Sequence, residues 1–239
     1  MNMLAAQLLF IVAALFVKLQ ISGLYASYVR AYMRYTFLPV AAILVILGVA
    51  LLLRDRSRQR QADASHDGHP HALAVTSWLL VLPAVALFVV APGPLRAQAA
   101  LRNGISPGRS AFSPNLPTLH PNAEGIISLG VLDAAYRGTE DPTHSLREKR
   151  IHVVGFVVHE KSEQPGRFLL TRFVIHCCAA DAEPYSVEVE IPQGTADPPD
   201  NTWVSAVMTW VGPQPKGAYA LFDQASIADI PAPANPYDN

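Results

Sequence analysis

The run Thr171-Arg172-Phe173-Val174-Ile175-His176-Cys177-Cys178-Ala179-Ala180-Asp181-Ala182 holds the only two cysteines of the chain, and they are adjacent. With a histidine before them and an aspartate three residues after, thiol, imidazole and carboxylate fall within six residues. Thiolate with imidazole suits zinc or copper better than Mg²⁺ or Ca²⁺. Adjacent Cα atoms lie about 3.8 Å apart, whereas ordinary disulfides want about 4.4–6.8 Å. A Cys177–Cys178 bridge would therefore be strained and easily reduced, a poor staple and a candidate redox element.

Side chains alternate along a strand. If the strand ran through both cysteines, Phe173, Ile175 and Cys177 would share one face, and Arg172, Val174, His176 and Cys178 the other. Both sulfurs can serve one ion only if the strand ends near residue 176. Ala179-Ala180-Asp181-Ala182 could form a helical turn that makes Cys178 and Asp181 neighbours at i,i+3. His176, Cys178 and Asp181 could then converge, with Cys177 joining if the backbone turns. Three uses of the segment stay open. One is a structural role, with Cys177 as a small core hydrophobe and Asp181 as a turn cap. The others are contact with a metal or ligand, and thiol exchange. Arg172 could hold an acidic partner or Asp181, or be a surface strand residue. A second, weaker candidate is His66, His69 and His71 with Asp67, which could hold Zn²⁺ loosely or simply line a solvated loop.

These residues need a scaffold, and from Ile126 onward the pattern is of short β-like runs. They cover Ile126–Leu132, Arg150–His159, Gly166–Ile175, Ser186–Ile191, Thr202–Val211 and Ala218–Phe222, with Pro/Gly/Asp turns between them. Glu140–Glu148 supplies a helical turn or loop. A β domain over 126–231, a small barrel of the OB type, fits this order. The Pro-rich tail 232–239 is not expected to continue a sheet, and 96–125 is expected to be an extended Pro-rich linker.

The first 95 residues have a different texture. Apolar stretches at about 4–24, 37–53 and 74–95 each approach the ~20 residues that span a bilayer core. Three N-terminal transmembrane helices are expected, so the fold class is membrane α plus β. Lys18 interrupts the first span near its last turns, and Tyr25, Tyr28, Tyr32 and Tyr35 suit a membrane interface. The intervening loop 54–73 carries Arg54, Arg56, Arg58 and Arg60, which favours a cytoplasmic loop and N-terminus and an extracytoplasmic β domain. Net charge splits accordingly, +7 over residues 1–109 and −8 over 110–239. No basic patch interleaved with aromatics occurs in the second half, so nucleic-acid binding is not expected. No nucleophile triad, phosphate loop, His-Glu-x-x-His or dinucleotide motif is present, so neither an ordinary enzyme nor an organic cofactor is expected.

The Thr-Arg-Phe-x-Ile-x-Cys-Cys-x-Ala-Asp-Ala segment resembles the signature of the YcgQ-like family of bacterial membrane proteins, classed as permease subunits. The resemblance extends to Ser22-Gly23 with Tyr28-Val29, the His-bearing loop, Trp78-Leu79-Leu80-Val81-Leu82-Pro83, Gly155-Phe156-Val157, Asp200-Asn201-Thr202-Trp203-Val204 and the ending from Ile230 to Tyr237. It implies an accessory subunit of a two-component permease, acting with a separate polytopic permease in the lipid bilayer. On that view the Cys-Cys segment binds or gates substrate. A membrane-anchored metal-binding or metal-delivery protein, or a thiol-redox module, is the alternative. The resemblance also implies that position 176 is variable, which makes His176 a weaker ligand than Cys177, Cys178 and Asp181.

Overall fold

The computed structural model describes residues 2–62, 93–107, 116, 118–160, 166–192 and 194–238. Residues Met1–Gly93 and Pro94–Asn239 form two compact units.

In the first unit, helix α1 (Asn2–Ser22) stops at Gly23, whose left-handed φ of 71° is easy only for glycine. Two 3₁₀ turns, Leu24–Ser27 and Ala31–Met33, lead into helix α2 (Arg34–Ala62). The helices pack through small residues seven apart. Ala6 and Ala13 on α1 and Ala41 on α2 are buried, and the Phe10 ring comes within 3.0 Å of where a Cβ on Gly48 would stand. Small residues of this kind let helix backbones approach closely. The remaining faces are apolar and exposed, among them Ile21, Ile43, Ile46 and Leu53. Both helices are long and apolar enough to cross a membrane, over Ala5–Ser22 and Ala31–Ser57. Residues 54–62, expected to open a polar loop, instead continue α2 as helix. The third expected span lies almost wholly outside the described residues, as do His66, His69 and His71.

The second unit contains helix α3 (Ala97–Asn103), strand β1 (Ile126–Ser128), helix α4 (Val131–Thr139) and strands β2 (Arg150–Val158), β3 (Arg167–Val174), β4 (Glu183–Glu190), β5 (Trp203–Trp210), β6 (Leu221–Asp229) and β7 (Tyr237–Asp238). Strands β2, β5, β6, β4 and β3 pair in that order, and β3 pairs back to β2, closing a five-stranded barrel. Only β4–β6 is parallel within the ring. The connectivity is OB-like. β1 adds in parallel to β2 and β7 in parallel to β3.

Strand alternation divides the core in two. Ile151, Val153 and Val157 join Phe168, Leu170, Val187, Val204 and Met208 in one cluster. Their neighbours Phe156, Val158, Leu169 and Phe173 form a second with Ala97, Ala100 and Tyr237. Strands buried on both faces show near-continuous apolar runs, which is why β2 and β3 lack polar alternation. Gly155 has a steric role: a Cβ there would lie 2.8 Å from the Thr171 carbonyl oxygen. Gly155→Ala is expected to destabilise the domain by about 1–3 kcal/mol through overpacking, read as a lowered urea midpoint; an unchanged midpoint would show that β3 yields freely.

Three expectations change. The linker is not extended throughout, because α3 occupies its start with Ala97 and Ala100 buried. The 126–132 run is strand only to Ser128, and the helix lies at Val131–Thr139, ahead of Glu140–Glu148. Val131, Ala134 and Ala135 provide its buried stripe. Its N-terminus is satisfied from the far end of the chain, where an Asp238 carboxylate oxygen accepts the Leu132 N–H at 3.0 Å. The tail therefore does rejoin the sheet, since beyond Pro236 the backbone N–H groups are free to pair.

Candidate functional site: a vicinal thiol loop

The Cys-Cys segment connects β3 to β4. β3 ends at Val174 and Ile175 is still buried, but His176 and Cys177 are exposed and Cys178 is half-buried. Asp181 causes the ending. One carboxylate oxygen accepts the His176 N–H at 2.9 Å, and the other accepts those of Cys177 at 2.8 Å and Cys178 at 3.3 Å. Three successive backbone donors thus converge on one side chain instead of extending the ladder. Ala179–Asp181 then form a 3₁₀ turn capped reciprocally, the Cys178 sulfur accepting the Asp181 N–H while the Asp181 carboxylate accepts that of Cys178.

This loop sets the two sulfurs side by side, 3.7 Å apart and unbridged. Sulfurs and an Asp181 oxygen all lie within 4.8 Å of one another. The expected end of the strand and the expected helical turn are both present. A core position for Cys177 is overturned by its exposure.

Electrostatics favour a charged Asp181 beside a protonated Cys177 thiol. Desolvation acts to raise the Asp181 pKa, but the Cys177 thiol and the three backbone N–H groups outweigh it and hold it at about 2. Cys177 is pushed up to about 11, first by its hydrogen bond to Asp181, then by Cys178 and slight desolvation. Because the folded Asp181 pKa lies below the ordinary value of about 3.9, its contribution to loop order is present above that value and is lost as pH falls through about 2. The amide signals of His176, Cys177 and Cys178 are expected to titrate together near pH 2 by NMR; midpoints near 3.9 would contradict the network.

A groove of about 690 Å³ flanks the loop. His176, Asp181, Glu183 and Tyr185 line it with Asn103 and Ser106. The chain after α3 forms its far wall, held by a bridge between Ser106 and Tyr185. The Tyr185 hydroxyl donates to Glu183 at 2.7 Å. No sequence signal pointed to Asn103 or Ser106, about 80 residues upstream.

Arg172 does not join the loop. Its guanidinium donates to the Asn235 carbonyl at 2.7 Å and lies 5.7 Å from the centre of the Trp203 ring. It belongs to the anchoring of the tail. His176 lines the groove but lies outside the cluster of candidate ligand atoms. A further cluster went unnoticed in the sequence: His159 contacts Asp200 at 2.8 Å and Asp197 at 3.0 Å. The adjacent Asn201 accepts the Ala97 N–H that opens α3.

Fold and site together define an OB-like domain with a vicinal-thiol loop, on a chain that also carries a pair of apolar helices. Residues 4–106 match the DUF1980 N-terminal domain and residues 137–237 the DUF1980 C-terminal domain. The chain carries both domains of this uncharacterised family. No curated protein and no solved structure matches it.

Proposed function

We propose that the chain is the accessory membrane subunit of a two-component permease, and that its OB-like domain binds a thiophilic metal ion, zinc or copper, at Cys177 and Cys178. The observation that carries this reading is the pair of accessible sulfurs held 3.7 Å apart by the Asp181 network. A tetrahedral zinc site with Zn–S bonds of about 2.3 Å has S···S edges of about 3.8 Å. On this reading the apolar helices lie in the bilayer and dock the polytopic partner. The arginines after the second span face the cytoplasm, and the thiol loop lies outside it. The resemblance to YcgQ-like permease subunits supports the choice of partner. Thiol exchange is the second reading of the same accessible pair; it needs a thiolate just as metal binding does, so the raised Cys177 pKa bears on both alike.

The test is purification of the full chain with a tagged polytopic permease, combined with protease treatment of intact cells. A complex that retains the chain, with the β domain cleaved before lysis, is the expected result. A chain that never accompanies the permease would leave metal delivery as the better reading. Cleavage only after lysis would reverse the orientation.

A further inference from the structure

We propose that the vicinal thiols take a monosubstituted trivalent arsenical, R–As(OH)₂, whose two exchangeable positions the two sulfurs fill. This rests on the reading above that both sulfurs serve one atom, and it names a class of cargo whose valence the pair completes without a further donor.

The loop offers two ligands. The sulfurs of Cys177 and Cys178 lie 3.7 Å apart, and among the described residues only Asp181 joins them in a cluster of candidate ligand atoms. Asp181 is committed elsewhere. A carboxylate offers about four lone-pair positions, and three of those on Asp181 accept the amides of His176, Cys177 and Cys178. Drawing the carboxylate onto a bound atom would release the bonds that end β3 and bring the sulfurs together. Asp181 is therefore a positioning residue. Two thiolates leave a tetrahedral ion two positions short, for water to fill. Trivalent arsenic that already carries one carbon substituent needs two more bonds and no others.

The capture step balances without an oxidant. Two As–O bonds break, two As–S bonds form, each thiol proton leaves with a hydroxide as water, and arsenic stays trivalent. An arsenic–sulfur bond is close in length to the zinc–sulfur bond of about 2.3 Å, and two such bonds meeting at about 100° span about 3.5 Å. The sulfurs thus stand near the required separation before anything binds. Cys177 is exposed and Cys178 half-buried, so the organic substituent can stay in solvent and no pocket need enclose it.

The experiment uses the full chain in detergent with probes that differ in exchangeable positions. Phenylarsine oxide, once hydrated, has two, dimethylarsinous acid has one and arsenite has three. Alkylation with iodoacetamide after one equivalent of probe counts the thiols left free in the unsubstituted protein, so this reading depends on no variant. None free after phenylarsine oxide and one free after dimethylarsinous acid is the expected result; one free after phenylarsine oxide would overturn the proposal. The second As–S bond is intramolecular, so Cys177→Ser and Cys178→Ser are each expected to weaken phenylarsine oxide capture by roughly 10²- to 10⁴-fold. Dimethylarsinous acid should hardly notice either change. A loss of phenylarsine oxide capture below about tenfold would mean that the sulfurs act singly. Arsenite is expected to bind more weakly than phenylarsine oxide, because its third hydroxide stays in place. Equal or tighter arsenite binding would make Asp181 a third donor and overturn the class assigned. Zn²⁺ affinity, measured in parallel, separates the two readings: if it is unchanged in Cys177→Ser/Cys178→Ser, the metal-binding reading itself fails.

Discussion

Cys177→Ser/Cys178→Ser is expected to lower zinc affinity by ~10⁴-fold with little effect on folding. Structural zinc sites gain about 10–16 kcal/mol from four ligands, so each thiolate contributes about 3 kcal/mol and two are worth roughly 10⁴-fold. The fold should survive because Cys177 is exposed and Cys178 half-buried. Among the described contacts their structural duties are the bond of the Cys177 thiol to Asp181 and the cap at Cys178. Serine is among the preferred capping residues, so that duty passes to the new hydroxyl. Competition titration against a chelator of known affinity, with a thermal melt as the folding control, reads both quantities. Affinity within tenfold of the unsubstituted protein would remove the thiols from the site.

Deleting residues 237–239 is expected to destabilise the β domain by about 4–6 kcal/mol. Tyr237 is 2 % exposed and packs in the second core cluster with Phe156 and Phe173. Removing an aromatic side chain of that burial costs about 3–5 kcal/mol, and losing a helix cap costs about 1 kcal/mol more. Asp238, in β7, is that cap and accepts the Leu132 N–H of α4. Burial raises its pKa first, opposed by the Leu132 N–H, the charge of Arg172 and the Val131 N–H. A carboxyl whose folded pKa is raised favours the folded state below its unfolded value and loses that contribution as pH rises through the folded one. The Asp238 contribution thus declines with rising pH, opposite in sign to that of Asp181. Domains of this kind are stable by about 5–15 kcal/mol, so the truncated protein should unfold at markedly lower urea. A midpoint unchanged by the deletion would show that β7 is ornamental to the barrel.

The strands of the barrel were legible because β4 alternates Val187 and Val189 with Glu188 and Glu190, and because turn residues bracket β2, β3 and β5. The OB-like closure followed from strand count and order. What escaped depended on partners remote in sequence. Helix α4 has no cap of its own, since its first N–H groups look to Asp238, about 100 residues away. The short α3 has no capping side chain at Arg96 and is fixed by Asn201 and by burial of its alanines. Arg172 seemed a candidate for the thiol loop by proximity in sequence, but it reaches the tail carbonyl of Asn235 instead. Within the site, the Cys178-x-x-Asp181 spacing carried the information that mattered. It is the spacing of a capping box, and that box is what turns two sulfurs destined for opposite faces of a strand into neighbours.

On the proposed reading both vicinal sulfurs bind one ion. X-ray absorption at the zinc edge of the metal-loaded full chain tests it most directly. The expected shell contains two sulfur scatterers at about 2.3 Å, with nitrogen or oxygen completing the set. A shell of nitrogen and oxygen alone would contradict the account.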